Sequence, residues 1–475
     1  FGVMKQVWRF FRSLPLLLVS PVLVLLPAVG LAAADLWWKL FGRRVRPVNR
    51  PPRADCASVV IPNWNGRDLL EKYLPSVVTA MSGHPGNEVI VVDNGSSDGS
   101  AEFVRQNFPQ VTLLALPENL GFGGGSNAGF RAAKNDIVVL LNSDMRVAPD
   151  FLAPLLEGFA GADDVFAVSC QIFFSDPAKK REETGLTQAW WSEGSLRVRH
   201  RLDDELDSLF PCFYGGGGSC AFDRAKFLEL GGFDELLKPF YLEDTDLGLL
   251  AWKRGWRVLY QPKSIVFHEH RGTIGKKFSP EYIQSILKKN FLLFTWKNIG
   301  GWGKLVEHFL YAWTGAVLSL WFGDSPERAN LTGMARAARQ LPAAMRARVK
   351  ARSLAVVDDE EAFRRPLGGY YRDRFVRDMA VRPRVLLVAP YGMCPPVHGG
   401  AVFMYQTARE LAQHVDLHLI ILVDAPSEIA PHDELRRICG SVEFLVRMEG
   451  QPKQIGSIDP YSVREFRNGD LDWLI

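Results

Sequence analysis

The chain has 475 residues, 47% of them hydrophobic and 23% charged, with a formal net charge of +3. That length fits two or three domains. The composition excludes a disordered or fibrous chain, and the near-neutral balance argues against nucleic-acid binding by the chain as a whole.

The chain opens on Phe1 rather than Met, which reads as a fragment or a processed product. Leu14 to Ala34 carries no charge and as a helix would cover about 31 Å, enough for a bilayer core. Pro15, Pro21 and Pro27 fall inside it and should weaken a continuous helix. Lys5, Arg9 and Arg12 precede the run; Lys39, Arg43, Arg44, Arg46, Arg50 and Arg53 follow it. The heavier flank should face the cytoplasm. Residues 1–42 are therefore expected to be a separable membrane-associated segment, spanning or re-entrant. A helix packed on a further domain is the alternative. Residues 43–54, rich in Pro and Arg, read as a linker.

From residue 55 apolar strands alternate with helices. "ASVVIPNW", "NEVIVVDN", "VTLLAL" and "DIVVLLNSD" are the strands; "DLLEKYLPSVVTAM", "SAEFVRQNF" and "NAGFRAAKN" are the helices. Such alternation predicts a mostly parallel α/β sheet covered on both faces, with ligands at the carboxyl ends of the strands. Polar clusters fall there: Asn63 and Asn65, Asp93 to Asp98, and Asn142 to Asp144.

Residues 276–380 read as mostly helical. Phe309 to Phe322 is uncharged but short for a span, which suits an interfacial or core helix. The arginines that follow (Arg336, Arg339, Arg346, Arg348, Arg352) suit either anionic headgroups or a solvated face. A new strand, "RVLLVAPYG", begins after Arg382 and opens a second βαβ unit. The six cysteines (Cys56, Cys170, Cys212, Cys220, Cys394, Cys439) include no C-x-x-C pair. They indicate neither a disulfide framework nor a zinc site.

Several motifs carry chemistry. Asp93, at a strand end in "VVDNGSSDGS", can accept from a pyrimidine N–H or a ribose hydroxyl, although D-N-G alone is also ordinary turn chemistry. "ENLGFGGGSNAGF" reads as a glycine-rich turn entering a helix, where a phosphate could approach the backbone. It is neither a P-loop nor a dinucleotide fingerprint. Asp144 ends a buried strand as a metal ligand or a turn cap. Glu243, Asp244 and Asp246 crowd a helix start more densely than capping needs, and crowded carboxylates suit a general base. Asp246 should point away from Asp244, about 200° around the helix. His268 and His270 alternate along a strand and suit a metal or phosphate.

Taken in order, these segments resemble the family-2 glycosyltransferases of GT-A fold, and their rhamnosyltransferase-like branch in particular. The matching pieces are "VVIPNWNG", "VIVVDNGSSDGS", "NLGFGGGSNAGF", "LLNSDMRV", "GGGGSCAFDRAKFLELGGFDE", "YLEDTDLGLLAWKRGWRV" and "FHEHRGTIG". The resemblance implies a catalytic domain over 55–275 and a Mn²⁺ or Mg²⁺ cofactor. Asp144 would coordinate the metal, with Asn142 at the first position of the family's D-x-D motif and His268 in support, His270 being its rival. Asp244 would be the catalytic base. Pro62, Asn65, Asp93, Asn94, Gly95, Gly124, Asn127, Gly217, Gly218 and Glu243 would line the donor and acceptor sites. Residues 381–475 resemble the first half of a GT-B (family-4) enzyme, whose glycine pair near the donor phosphates falls at Gly399 and Gly400. The implied activity is inverting transfer from dTDP-rhamnose or a UDP-hexose to a hydroxyl of a glycan or lipid-linked acceptor. Its place would be the cytoplasmic face of a bacterial inner membrane, in surface polysaccharide synthesis. A nucleotidyltransferase is disfavoured because "IPNWNGRD" lacks a glycine-rich basic signature. A non-catalytic glycan-binding scaffold would not need the three aspartates.

Overall fold

A computed structural model of the chain describes residues 2–47, 49–176, 183–203, 206–269, 278–322, 330–366, 370–376 and 382–447. The first element, α1 (Gly2–Phe41), is one helix that runs through all three prolines. The expected interruption does not occur, and at Pro21 the reason is visible. Its missing N–H would leave the Leu17 carbonyl unbonded. The Ser20 hydroxyl donates to that carbonyl at 2.6 Å instead.

After α1 come β1 (Ala57–Asn63), α2 (Arg67–Met81), β2 (Glu88–Asp93), α3 (Ser100–Asn107), β3 (Thr112–Ala115), α4 (Gly121–Ala132) and β4 (Ile137–Leu141). The four strands are parallel, in the order β3-β2-β1-β4. Alternate residues of each strand enter opposite layers, as strand geometry requires. Val60, Ile90, Val92, Val138 and Leu140 join one core; Val59, Ile61, Val91, Val139 and Leu141 join the other. The chain winds outward from β1 to β3 and returns at β4, so the switch point lies between β1 and β4.

The rest of the sheet is mixed rather than parallel. It uses β5 (Met145–Val147), β6 (Val165–Phe174), β9 (Phe210–Pro211), β10 (Ser219–Asp223) and β11 (Arg257–His268), making nine strands in all. Strand β10 lies antiparallel between β4 and β6, while β6 and β11 are parallel. Helix α5 (Leu152–Glu157), the hairpin β7 (Thr187–Ser192) with β8 (Ser195–His200), and helices α6 (Arg224–Leu230) and α7 (Glu243–Arg254) fill the connections.

Among the described residues five helices follow: α8 (Pro280–Asn298), α9 (Trp302–Phe322), α10 (Leu331–Arg339), α11 (Leu341–Leu354) and α12 (Asp359–Arg364). Helix α1 packs along α9, α10 and α11. Its inner face buries Ser20, Leu31 and Ala34. Asp35 pairs there with Arg348 at 2.7 Å and Arg352 at 2.9 Å. Its outer face exposes Leu18, Val22, Leu25, Val29, Leu36 and Leu40. The helix is thus part of the folded body, not a separable tail. The supposed linker is also pinned, with Val45 N–H on Ser353 O (2.9 Å) and Trp256 Nε1 on Asn49 Oδ1 (2.9 Å).

A second sheet, ordered β12-β15-β14-β13, contains β12 (Tyr370–Val376), β13 (Arg384–Ala389), β14 (Asp416–Val423) and β15 (Ser441–Arg447). Helix α13 (Gly399–His414) makes the parallel crossover from β13 to β14, and α14 (Asp433–Ile438) the crossover to β15. Gly399 and Gly400 open α13, where His398 Nδ1 accepts the Ala401 N–H at 3.1 Å.

Candidate active site

The polar residues at the carboxyl ends of β1, β2 and β4 gather at the switch point. Asn63 and Asp93 are register partners on adjacent strands, and both are buried. Neither amide atom of Asn63 has a hydrogen-bond partner among the described residues, and neither does Asp93 Oδ1. Buried polar groups left unpaired are costly. A donor–acceptor pair of this kind suits a ligand with both functions on one edge. Trp64 stands partly exposed beside them.

Across the switch point, Asn142 donates its backbone N–H to Gly218 O at 2.9 Å. Asp144 Oδ2 lies 3.3 Å from His268 Nε2. Glu183 Oε2 holds the opposite ring nitrogen, Nδ1, at 2.9 Å. Burial opposes protonation of His268, but the two carboxylates override it and lift its pKa to about 9. A divalent ion suits this donor set. Two ligands at about 2.1 Å from one octahedral centre lie about 3 Å apart, close to the observed separation. A carboxylate behind the imidazole is the usual support for a metal-bound histidine. His270, the rival, lies outside the described residues.

Helix α7 brings the acidic cluster to the same crevice. Asp244 Oδ2 accepts the Gly217 N–H at 3.2 Å, and Oδ1 accepts the Thr245 N–H at 2.7 Å. Burial raises its pKa, opposed by those N–H donors. Glu243 Oε2 is buried without a partner among the described residues, and burial together with the Asp244 charge pushes the acid to about 8. Asp246 points elsewhere, as the helical spacing predicts. It is buried against Lys297 Nζ at 2.6 Å and Asn298 Nδ2 at 2.7 Å. The helix begins after two non-glycine residues in the left-handed region, Tyr241 (φ 74°) and Leu242 (φ 73°). The Asn290 amide spans the carbonyls of Leu237, Phe240 and Tyr241 and holds that turn.

Other expected positions have structural work. The glycine-rich stretch is helix, not turn: α4 already includes Gly123, Gly124 and Gly125. A side chain at Gly129 would strike Val60 and Val92, so glycine there lets the helix lie close on the sheet. At the start of α4, Asn119 Oδ1 accepts the Gly121 N–H. Asn94 ties the end of β2 to that start, Oδ1 accepting the Leu120 N–H and Nδ2 donating to Gly121 O. Asn127 is spent at both ends on the Phe233 backbone. Gly124 lies against Leu120, and Gly95 (φ 71°) turns tightly against Glu118. Asn65 Oδ1 accepts the Ser97 N–H at 2.8 Å and ties two loops. Pro62 sits in β1 opposite Val92. Gly217 and Gly218 do reach the crevice. Glu183 was missed because it lies between motifs on no periodic element, and Asn290 because α8 is far away in sequence.

A family model described as Glycosyl transferase family 2 matches residues 58–224. The N-acetylglucosaminyl-diphospho-decaprenol L-rhamnosyltransferase of Mycobacterium tuberculosis is 26% identical over 270 residues, covering 52% of this chain and 87% of the relative. Succinoglycan biosynthesis protein ExoO of Rhizobium meliloti is 27% identical over 269 residues, covering 54% and 74%. Among solved structures, GalNAc-T7 with UDP, GalNAc and Mn²⁺ aligns with a TM-score of 0.44 at 18% identity, over 61% of this chain and 57% of that one.

Proposed function

Residues 58–224 form a family-2 glycosyltransferase domain, the chain is a nucleotide-sugar glycosyltransferase, and we propose that it transfers its sugar with inversion to a lipid-diphosphate-linked glycan. The observation that carries this reading is the convergence of the Asn63 amide and Asp93 Oδ1, unpaired among the described residues, the Asp144–His268 pair and Asp244 on one crevice. Asn63 and Asp93 would read the donor's pyrimidine edge, which offers a matching N–H and carbonyl. Asp144 and His268 would hold a Mn²⁺ or Mg²⁺, Glu183 fixing the imidazole. The ion, when bound, supplies positive charge for the leaving diphosphate. Asp244 would take the proton from the acceptor hydroxyl as it attacks the anomeric carbon from the face opposite the leaving group. Gly217 N–H aims that carboxylate, and the glycine loop leaves room for the acceptor.

The acceptor class follows the mycobacterial relative, whose name specifies a decaprenyl-diphosphate-linked acceptor. It agrees with the continuous apolar outer face of α1 and the exposed Val306, Leu310 and Trp313 of α9. These two helices would sit in the cytoplasmic leaflet of a bacterial membrane. The chain from 381 would be the start of a GT-B half, with Gly399 and Gly400 at the amino end of its first crossover helix.

The test is a donor screen of the purified chain with dTDP-rhamnose and UDP-hexoses, with Mn²⁺ and a polyprenyl-diphosphate acceptor, reading nucleoside diphosphate release. One donor should give release that is lost in Asp93→Ala, in Asp144→Ala and in EDTA. Full turnover in EDTA would refute the metal assignment. Release indifferent to Asp93 would refute the donor site.

A further inference from the structure

A series of aromatic rings starts at the turn that aims Asp244. Tyr241 precedes Leu242 and Glu243 in that turn, and its side of the chain is open to solvent, with 37% of the residue exposed. Burial raises its phenol pKa, and the Glu243 and Glu183 charges raise it further. The ring thus borders the crevice, within the field of the acidic cluster and of the carboxylate behind His268. Phe240 lies edge-on to it at 5.0 Å between centroids. Phe278 lies 5.3 Å from Phe240, and Tyr282 stacks on Phe278 at 5.3 Å. Phe278 is also 37% exposed. Flat apolar faces of this kind stack on the C–H faces of sugar rings.

The series ends at two cations. The Arg336 guanidinium of α10 lies 5.4 Å from the centre of the Tyr282 ring. Lys289 of α8 is buried and donates to the Lys238 carbonyl at 2.6 Å, which occupies one of its three donors. Burial and the neighbouring Arg336 charge push its pKa down to about 8. Neither cation has a carboxylate partner among the described residues. Their position relative to the crevice is fixed, because Asn290, next to Lys289, binds the carbonyls of Leu237, Phe240 and Tyr241. A guanidinium fork beside an ammonium suits the oxygens of a diphosphate. We propose that Tyr241, Phe278, Lys289 and Arg336 form the acceptor subsite, the sugars lying on the rings and the diphosphate meeting the two cations. The proposal rests on the reading of the acceptor as a lipid-diphosphate-linked glycan. It assigns residues to the part of that substrate that neither the donor site nor Asp244 holds.

The experiment measures acceptor kinetics of the full chain, using the donor that gives release in the screen above and two acceptor probes. One is N-acetylglucosamine joined through a diphosphate to a short prenyl chain; the other is the octyl glycoside of the same sugar, which lacks the diphosphate. Arg336→Gln should raise KM for the diphosphate probe about 10- to 100-fold. The loss should be confined to that probe and to KM. Arg336→Lys should recover part of it, since the charge returns without the fork. Lys289→Gln should raise the same KM independently. Phe278→Ala should raise KM for both probes, because both carry the sugar. Arg339→Gln, exposed on the same helix, is the control for surface charge. An unchanged KM for the diphosphate probe in Arg336→Gln overturns the proposal. So do equal losses on both probes in that variant, which mark a structural role, or an equal loss in Arg339→Gln. A wild-type chain that uses the glycoside and rejects the diphosphate probe overturns the acceptor reading itself, and the subsite with it.

Discussion

Replacing Asp244 by Asn tests the assignment of the base, and the structure predicts two separable losses. Asn removes basicity while keeping the shape. General-base assistance is worth about 10²–10⁴ in rate, so kcat should fall by that factor. The second loss comes from hydrogen bonding. Asp244 accepts N–H donors at both oxygens, from Gly217 at 3.2 Å and from Thr245 at 2.7 Å. An amide can accept at one end only. The tighter Thr245 bond should keep the oxygen, turning the NH₂ toward the Gly217 N–H. Two opposed donors there cost about 1–3 kcal/mol and loosen the glycine loop. The variant should therefore melt earlier and show a raised KM for acceptor. Nucleotide binding should stay near wild type, because Asn63 and Asp93 lie on other strands. The assays are steady-state kinetics at saturating donor, thermal unfolding, and calorimetric titration with nucleoside diphosphate. Near-normal kcat would refute the reasoning and move the role to Glu243. Loss of nucleotide affinity would place Asp244 in the donor site.

Glu243→Gln should leave kcat largely intact and change the pH dependence of stability. The native acid's pKa is raised to about 8, so stability falls as pH rises from the ordinary carboxylate range through that value. The amide has no such loss, and melting temperatures should favour the variant at pH 9 but scarcely at pH 5; equal curves would refute the burial argument. Asp246→Ala removes one partner of a fully buried ion pair and should cost about 3–5 kcal/mol, read by denaturant unfolding, and should lower kcat of the folded fraction, because Asp246 anchors the turn that carries Asp244. Asp35→Ala should destabilise the chain similarly, since Arg348 is buried against it. Val22→Ser/Leu25→Ser/Val29→Ser on the outer face should instead leave the melting temperature unchanged and weaken vesicle co-flotation.

The sheet and the crevice were legible because their signals are local. Short, β-branched apolar runs such as "EVIVVD" favour strands buried on both faces, and the polar residues that end them fall at the strand termini. Asp93 and Asp144 follow from that pattern, and Asp244 from the crowding of carboxylates at the start of α7. The misreadings share a different cause. Glycine in "GFGGGSNAG" reads as a turn former, yet there it permits close helix–sheet approach, since a side chain at Gly129 would strike Val60 and Val92. Asn94 and Asn127 carry ligand-like chemistry, but backbone groups distant in sequence had already claimed them. Of the three prolines of α1 that signalled a break, Pro21 is offset by the Ser20 hydroxyl on the Leu17 carbonyl. In each case the deciding partner is a tertiary neighbour, or a side-chain bond that no pattern of residue types encodes.

For the same reason the helices after residue 280 are not an appendage to the catalytic domain. The first turn of α7 must enter the crevice from Tyr241 and Leu242, both held at positive φ. Each such residue costs roughly 1–3 kcal/mol unless its surroundings enforce it. Those surroundings come from α8: Asn290 binds three carbonyls of the turn, while Lys297 and Asn298 fix Asp246 one residue beyond Thr245. Lys253, near the other end of α7, pairs with Asp359 at 2.5 Å. Helix α8 is in turn tied through Arg348, which donates to Trp296 O and Ile299 O and pairs with Asp35 of α1. A continuous chain of buried polar contacts thus runs from the apolar-faced α1, through α11 and α8, to the turn that aims Asp244. The proposed membrane contact of α1 and the orientation of the proposed base Asp244 therefore belong to one packed unit.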